Sequence, residues 1–184
     1  MLNKIEVFDK NSLRRLVRQL KACMTEDERQ HQSGNIFAQI ERQNSFRNAN
    51  IICAYWPLAD EVDTRQFINK WYTIKQIYLP VVVGNNLIFK QYTGQQSMVE
   101  GVFGIMEPTG SELTDLSTVN LVIVPGVAFD AAGNRMGRGR GFYDRLLNSL
   151  SADTIGVAFS CQMFAHIPTD DNDVPLKHVV SPTD

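Results

Sequence analysis

Apolar residues recur near the start of the chain at intervals of three and four: Leu13, Leu16, Val17, Leu20, Cys23 and Met24. That spacing draws one apolar stripe on an α-helix over residues 10–24. Lys10, Arg14, Arg18 and Lys21 fall together on another face, so the helix carries a basic stripe that by default faces solvent. Thr25 precedes Glu28 by three residues, the spacing of a capping box, and predicts a second, largely polar helix from there to about residue 43. The period then changes. IICAYW (51–56), QIYLPVV (76–82), NLIFKQY (86–92), NLVIVPGVAF (120–129) and TIGVAF (154–159) are short runs rich in β-branched and aromatic residues, the composition of strands.

Helical patterns separate some of these runs. DTRQFINKWYTI (63–74), with Asp63 as its cap, lies between the first two, and GFYDRLLNSL (141–150) follows the fourth. Strand, helix, strand implies a right-handed crossover onto a parallel neighbour. Gly84, Asn85 and Asn86 allow a local hairpin between the second and third strands, which makes the sheet mixed. The expected architecture is α/β: a mixed, mostly parallel open sheet with flanking helices, a Rossmann-like three-layer arrangement, in one domain over residues 1–184. No internal repeat, low-complexity tract or linker interrupts it. Residues 93–118, with glycine and proline throughout, form the longest stretch without a period and predict a functional loop or flap.

Composition narrows the function classes. Of 184 residues, 43% are hydrophobic and 21% charged, enough to bury a core. A net charge of −2 and a pI near 5.9 provide no chain-wide field for nucleic acid or an anionic membrane. Any anion site must be local. Cys23, Cys53 and Cys161 lack zinc or redox spacing and predict reduced, mostly buried thiols. The amino terminus has no apolar leader core, and no apolar run approaches the roughly 18 residues that span a bilayer. The expectation is a cytoplasmic protein with no membrane or nucleic-acid partner and no obligate protein partner.

The local anion site is RMGRGRGFYDRLL (135–147). Glycines let successive backbone N–H groups converge on one point, and a helix amino terminus behind them adds partial positive charge. Between residues 130 and 145 four arginines face two aspartates, an excess of two positive charges on a turn that joins a strand to a helix. Arginine forks bind phosphate or carboxylate bidentately, so a polyphosphate fits. The loop is neither a P-loop nor a dinucleotide fingerprint, because Phe142 stands where each needs another residue. Asp144 would repel bound phosphate by roughly 4 kcal/mol per charge pair at about 4 Å and an effective dielectric of 20. A divalent cation between them removes the conflict, which makes Asp144 a candidate Mg2+ ligand.

With its upstream strand, PGVAFDAAGNRMGRGRGFYDRLL resembles the 5-formyltetrahydrofolate cyclo-ligase family, also called 5,10-methenyltetrahydrofolate synthetase. KNSLR (10–14), YWPLADEVDT (55–64) and IPTDDNDVPL (167–176) follow in family order, so the resemblance spans nearly the whole chain. It implies ATP- and Mg2+-dependent closure of 5-formyltetrahydrofolate to 5,10-methenyltetrahydrofolate, with ADP and phosphate as co-products. It further implies ATP binding by Lys10, Arg14, Arg135, Met136, Gly137, Arg138, Gly139, Arg140, Gly141, Phe142 and Tyr143. Folate would meet Trp56, Glu61 and residues 138–142, the metal Asp144 and Asp173, and the transferring phosphate Arg138 and Arg140. Arg140 stands where many members have glycine or lysine, and Phe142 where tyrosine is usual.

Two other readings compete. RGRGFY has the texture of RNA-binding segments, although the chain is slightly acidic and the motif occurs once. A sugar-phosphate enzyme on a similar sheet would need neither ATP nor Asp144.

Overall fold

The computed structural model describes residues 9–101 and 104–183. Asp9 caps helix α1 (Lys10–Ala22) by accepting the Asn11 and Ser12 N–H groups, and the Thr25–Glu28 capping box opens α2 (Glu26–Ile40). A short α3 (Asn44–Asn48) leads into β1 (Ile51–Cys53), α4 (Arg65–Trp71) and β2 (Gln76–Val83). The strand ends sooner than the apolar run, since only the Ala54 N–H still pairs with β2 before Tyr55 and Trp56 leave the ladder, and Thr64, not Asp63, takes the α4 cap position. The glycine-asparagine hairpin joins β2 to an antiparallel β3 (Asn86–Gln91).

Residues 93–118 hold more order than their composition suggests. β4 (Met98–Glu100) and β5 (Met106–Pro108) pair as a small antiparallel hairpin. The run 120–129 is not one strand. β6 (Leu121–Val124) stops at Pro125, which has no N–H to donate and a fixed φ, and β7 (Ala128–Asp130) belongs to another sheet. β8 (Arg135–Met136), α5 (Phe142–Leu147), β9 (Asp153–Val157), β10 (Met163–Phe164) and β11 (His178–Val180) complete the chain. At six residues α5 is under two turns, so anion attraction at its start rests on arginine charge and free N–H groups more than on an aligned dipole.

The central sheet runs β11-β9-β6-β1-β2-β3, parallel except for the β2–β3 hairpin. Alternation along its strands makes two cores. Ile52, Ile77, Leu79, Leu121, Ile123 and Ile155 pack under Ile36, Phe37 and Ile40 of α2, Phe46 of α3, and Phe67 and Ile68 of α4. Cys53, Tyr78, Val122 and Val124 face the other way, against Leu146 and Leu147 of α5. This is the expected three-layer α/β arrangement. A third cluster seats Leu13 and Val17 of α1 on Val127, Ala128, Met136 and Ile167, over the small sheet β10-β7-β8. Cys53 is buried and its thiol pushed up to about 12 by desolvation, Cys161 is half-buried, and Cys23 is exposed. No helix among the described residues is long and apolar enough to cross a membrane.

Strand order positions the site. From β1 the chain moves to β2 on one side and later returns to β6 on the other. The segments leaving the carboxyl ends of β1 and β6 therefore diverge, and the crevice between such segments is where open α/β sheets bind ligands.

Candidate active site

A cavity of about 740 Å³ occupies that crevice, within the ~300–1,000 Å³ usual for ligand sites. Every site residue singled out from the sequence lines it: Lys10 and Arg14 from α1, Trp56 and Glu61 from the segment after β1, Arg135 to Gly141, Phe142 to Asp144 at the start of α5, and Asp173. The lining divides by chemistry. Trp56, Leu58, Pro80, Val82, Leu87, Ile105 and Phe142 are apolar, with Glu61 and Glu107 among them, while Lys10, Arg14, Arg135, Asp144, Asp170 and Asp173 carry charge.

The aspartate before the glycine loop is structural. Asp130 is buried, and its carboxylate accepts from the Ala132, Asn134 and Ile167 N–H groups and from Asn134 Nδ2. Gly133 has φ +88°, and an added Cβ would lie 2.2 Å from the Leu176 carbonyl oxygen. Its own carbonyl accepts the Leu176 N–H at 2.8 Å. The glycine thus seats the segment that carries Asp170 and Asp173. Beyond it, Arg14 Nε donates to the Gly137 carbonyl at 3.0 Å, and Arg145 donates to the Asn85 and Arg140 carbonyls. The loop is held from α1 on one side and from the β2–β3 turn on the other.

The charges are paired across the cavity. Arg135, with a side chain only 4% exposed, donates to Asp144 Oδ1 at 2.5 Å. Lys10 reaches Asp170 at 2.5 Å and Asp173 at 2.6 Å. Arg138 reaches Asp60 at 2.6 Å and Glu61 at 3.2 Å. Burial by itself would raise the Asp173 carboxyl, but the Lys10 hydrogen bond, the Asp170 N–H and the charges of Lys10 and Arg135 outweigh it and hold the group below its ordinary value. Burial likewise opposes the Lys10 charge, and Asp170 and Asp173 more than compensate, raising it. Desolvation, then the Glu61 charge, pushes the phenols of buried Tyr55 and partly buried Tyr143 well up. Tyr55 donates to the Val62 carbonyl at 2.7 Å.

The residues present fit a polyphosphate with Mg2+. Among the described residues, buried Arg135 Nε finds no hydrogen-bond partner, and such an orphaned donor beside a cavity suits an anion. No three His, Cys, Asp or Glu side chains among the described residues form a cage. Mg2+ asks for less, since it commonly takes one or two carboxylates plus substrate phosphates. A phosphate chain with a divalent cation would offer Lys10 and Arg135 an anion and Asp144 and Asp173 a cation, so these pairs could change partners without leaving a charge uncompensated.

Several lining or bracing residues gave no sequence signal. Glu107 on β5 accepts the Val82 N–H at 3.1 Å and lines the cavity from the region without a period. Lys21 looked like part of a solvated stripe, yet it is buried against Asp60. Asp170 is one acid in an acidic turn, and only the fold reveals its contact with Lys10.

The comparisons agree with one another. A family model described as the 5-formyltetrahydrofolate cyclo-ligase family matches residues 7–182. The chain is 33% identical over 181 residues to a 5-formyltetrahydrofolate cyclo-ligase of Haemophilus influenzae, covering 91% of this chain and 94% of that one. It is 30% identical over 177 residues to one of Escherichia coli strain K12, covering 91% and 97%. The NMR structure of Aquifex aeolicus 5,10-methenyltetrahydrofolate synthetase is similar with a TM-score of 0.84 and 33% identity, over 93% of this chain and 88% of the other. A synthetase structure from Mycoplasma pneumoniae shares the fold at a TM-score of 0.79 and 22% identity, over 96% and 100%.

Proposed function

The chain belongs to the 5-formyltetrahydrofolate cyclo-ligase family, and on that premise we propose that this ligase closes 5-formyltetrahydrofolate to 5,10-methenyltetrahydrofolate at the expense of ATP. The observation that carries the reading is convergence: α1, the segment after β1, the glycine loop and the acidic turn at 170–173 meet on one cavity. We read the chain as a single domain acting in the cytoplasm, a setting its three free thiols suit.

In the proposed reaction the formyl oxygen attacks the terminal phosphorus of ATP, and the bond from that phosphorus to ADP breaks. The nitrogen of the aminomethyl bridge then adds to the activated formyl carbon. Loss of its proton and of phosphate, which carries away the formyl oxygen, leaves the methenyl bridge. The protein's part is alignment and charge neutralisation. Lys10 and Arg14 hold nucleotide phosphates, the N–H groups of Gly137 to Gly141 follow the chain, and Arg138 and Arg140 neutralise the transferring group. Glu61 accepts N–H donors of the pterin, and Trp56 and Phe142 cover its faces. Asp144 and Asp173 would hold Mg2+, which supplies positive charge beside the phosphates.

The test is direct. Purified protein with 5-formyltetrahydrofolate, ATP and Mg2+ should develop the ultraviolet absorbance of the methenyl product. Folate that remains intact after ATP is added would overturn the assignment, and tight RNA binding at physiological salt would favour a binding module instead.

A further inference from the structure

The proposed reaction leaves the buried lysine Lys21 and its partner Asp60 without a role. The Lys21 side chain on α1 is 6% exposed, and a lysine that deep needs full pairing to offset its desolvation. Its Nζ donates to Asp60 Oδ2 at 2.6 Å and to the Asp60 main-chain carbonyl at 2.7 Å. The other carboxylate oxygen, Oδ1, accepts from Arg138 at 2.6 Å. Arg138 also donates to Glu61 Oε1 through Nε at 3.3 Å and through its terminal nitrogen at 3.2 Å. Two adjacent carboxylates therefore share one guanidinium.

They differ in what else is asked of them. Glu61 lines the cavity, and its Oε2 already accepts the Leu58 N–H at 3.0 Å. If Oε1 must also receive a substrate N–H, Glu61 cannot keep Arg138 in place as well. Asp60 is outside that conflict, because Lys21 fastens both its side chain and its backbone. We propose that Asp60, anchored by Lys21, is a positioning residue for Arg138, keeping the guanidinium over the cavity when Glu61 turns to its substrate. The inference rests on the cyclo-ligase reading for its catalytic consequence. Its structural half is independent: α1 grips the glycine loop twice, by Arg14 on Gly137 and by Lys21 through Asp60 on Arg138. Burial works against the Asp60 charge, yet the hydrogen bonds and charges of Lys21 and Arg138 outweigh it and keep the carboxyl below its ordinary value.

Asp60→Asn tests this on a half-exposed loop side chain; it keeps an acceptor oxygen for Lys21 but removes that buried lysine's counter-ion, so some stability is lost and the assays are run where urea unfolding shows the variant folded. We expect kcat to fall about tenfold with a smaller rise, about threefold, in KM for ATP, since Arg138 acts on the transferring group while Lys10 and Arg14 keep their hold on the nucleotide. Lys21→Met should lower kcat in the same way. Adding Asp60→Asn to Arg138→Lys should cause little further loss, because residues that act through one another are not additive. A full kcat in Asp60→Asn, or additive losses in the double variant, would overturn the proposal. Amide hydrogen exchange without ligand separates it from the functional reading. Even if the wild type forms no methenyl product, exchange over residues 137–141 should quicken about tenfold in Asp60→Asn, and unchanged exchange there would overturn the positioning role.

Discussion

At the scale of single residues, the site is built from side chains that neutralise one another in pairs. Asp144 shows the consequence best, because it is the carboxylate partner of the deeply buried Arg135 and also a proposed Mg2+ ligand. Asp144→Asn removes a charge from both roles. The variant should stay folded but lose about 2 kcal/mol in urea unfolding, since a buried guanidinium is left short of its counter-ion. The Mg2+ concentration for half-maximal rate should rise about tenfold, provided the carboxylate is one of few protein ligands. A stability loss with an unchanged Mg2+ titration would confine Asp144 to the Arg135 pair. Tyr55 and Tyr143 contribute differently: their raised pKa values come from burial and the Glu61 charge, so neither phenol serves as a base near neutral pH.

At the scale of elements, the glycines divide by what surrounds them, and sequence alone cannot make that division. Gly84 has φ +58° with nothing near an added Cβ, whereas at Gly133 a φ of +88° coincides with a Cβ position 2.2 Å from the Leu176 carbonyl. Gly84→Ala should cost about 1 kcal/mol from left-handed backbone strain alone. Gly133→Ala should cost about 3 kcal/mol, because strain is added to displacement of the 167–176 segment. On the proposed reading of Asp173 as a Mg2+ ligand it should also raise the Mg2+ concentration for half-maximal rate, and equal melting temperatures for the two variants would refute the distinction. The same contrast explains what was legible in the chain. The capping box of α2, the hairpin at Gly84 and the first half of the α1 stripe, Leu13, Leu16 and Val17, are local signals that appear in the fold, whereas Leu20 and Cys23 of that stripe are exposed. The run 120–129 misled because its hydrophobicity is continuous while Pro125 silently ends the ladder. β4 and β5 are three residues each, too short to establish an alternating pattern. Within the cavity, Lys10 and Arg14 became candidates only through the family resemblance, and Asp60 and Lys21 had no signal, because pairing across 39 positions is a property of the fold.

At the scale of the whole molecule, acidic side chains cap the first two helices and brace the loops beside them, and this sets how the protein responds to pH. Asp9 is lowered by the Ser12 hydroxyl and the Ser12 and Asn11 N–H groups that it caps, and Glu28 by the Thr25 N–H and hydroxyl. Burial alone would raise Asp60 and Asp63, but Lys21 and Arg138 outweigh it at Asp60 and Arg65 does so at Asp63, leaving both below the ordinary 3.8. A carboxyl whose folded pKa is depressed stabilises the native state above its unfolded pKa and loses that contribution as pH falls through the folded value. Lys10, raised above 10.5 by Asp170 and Asp173 against the opposing effect of burial, behaves in the opposite sense. Its contribution is complete below 10.5 and is lost as pH rises through the folded value. The urea midpoint should therefore stay level between about pH 5 and 9 and decline on both sides. Because α1 depends on Asp9, on Lys10 and on the Lys21–Asp60 pair, it should be the first element to lose protection in acid. Hydrogen exchange at pH 3 that spared α1 while the central strands opened would contradict this order, and a midpoint that did not change down to pH 2.5 would show that these carboxylates contribute nothing net to stability.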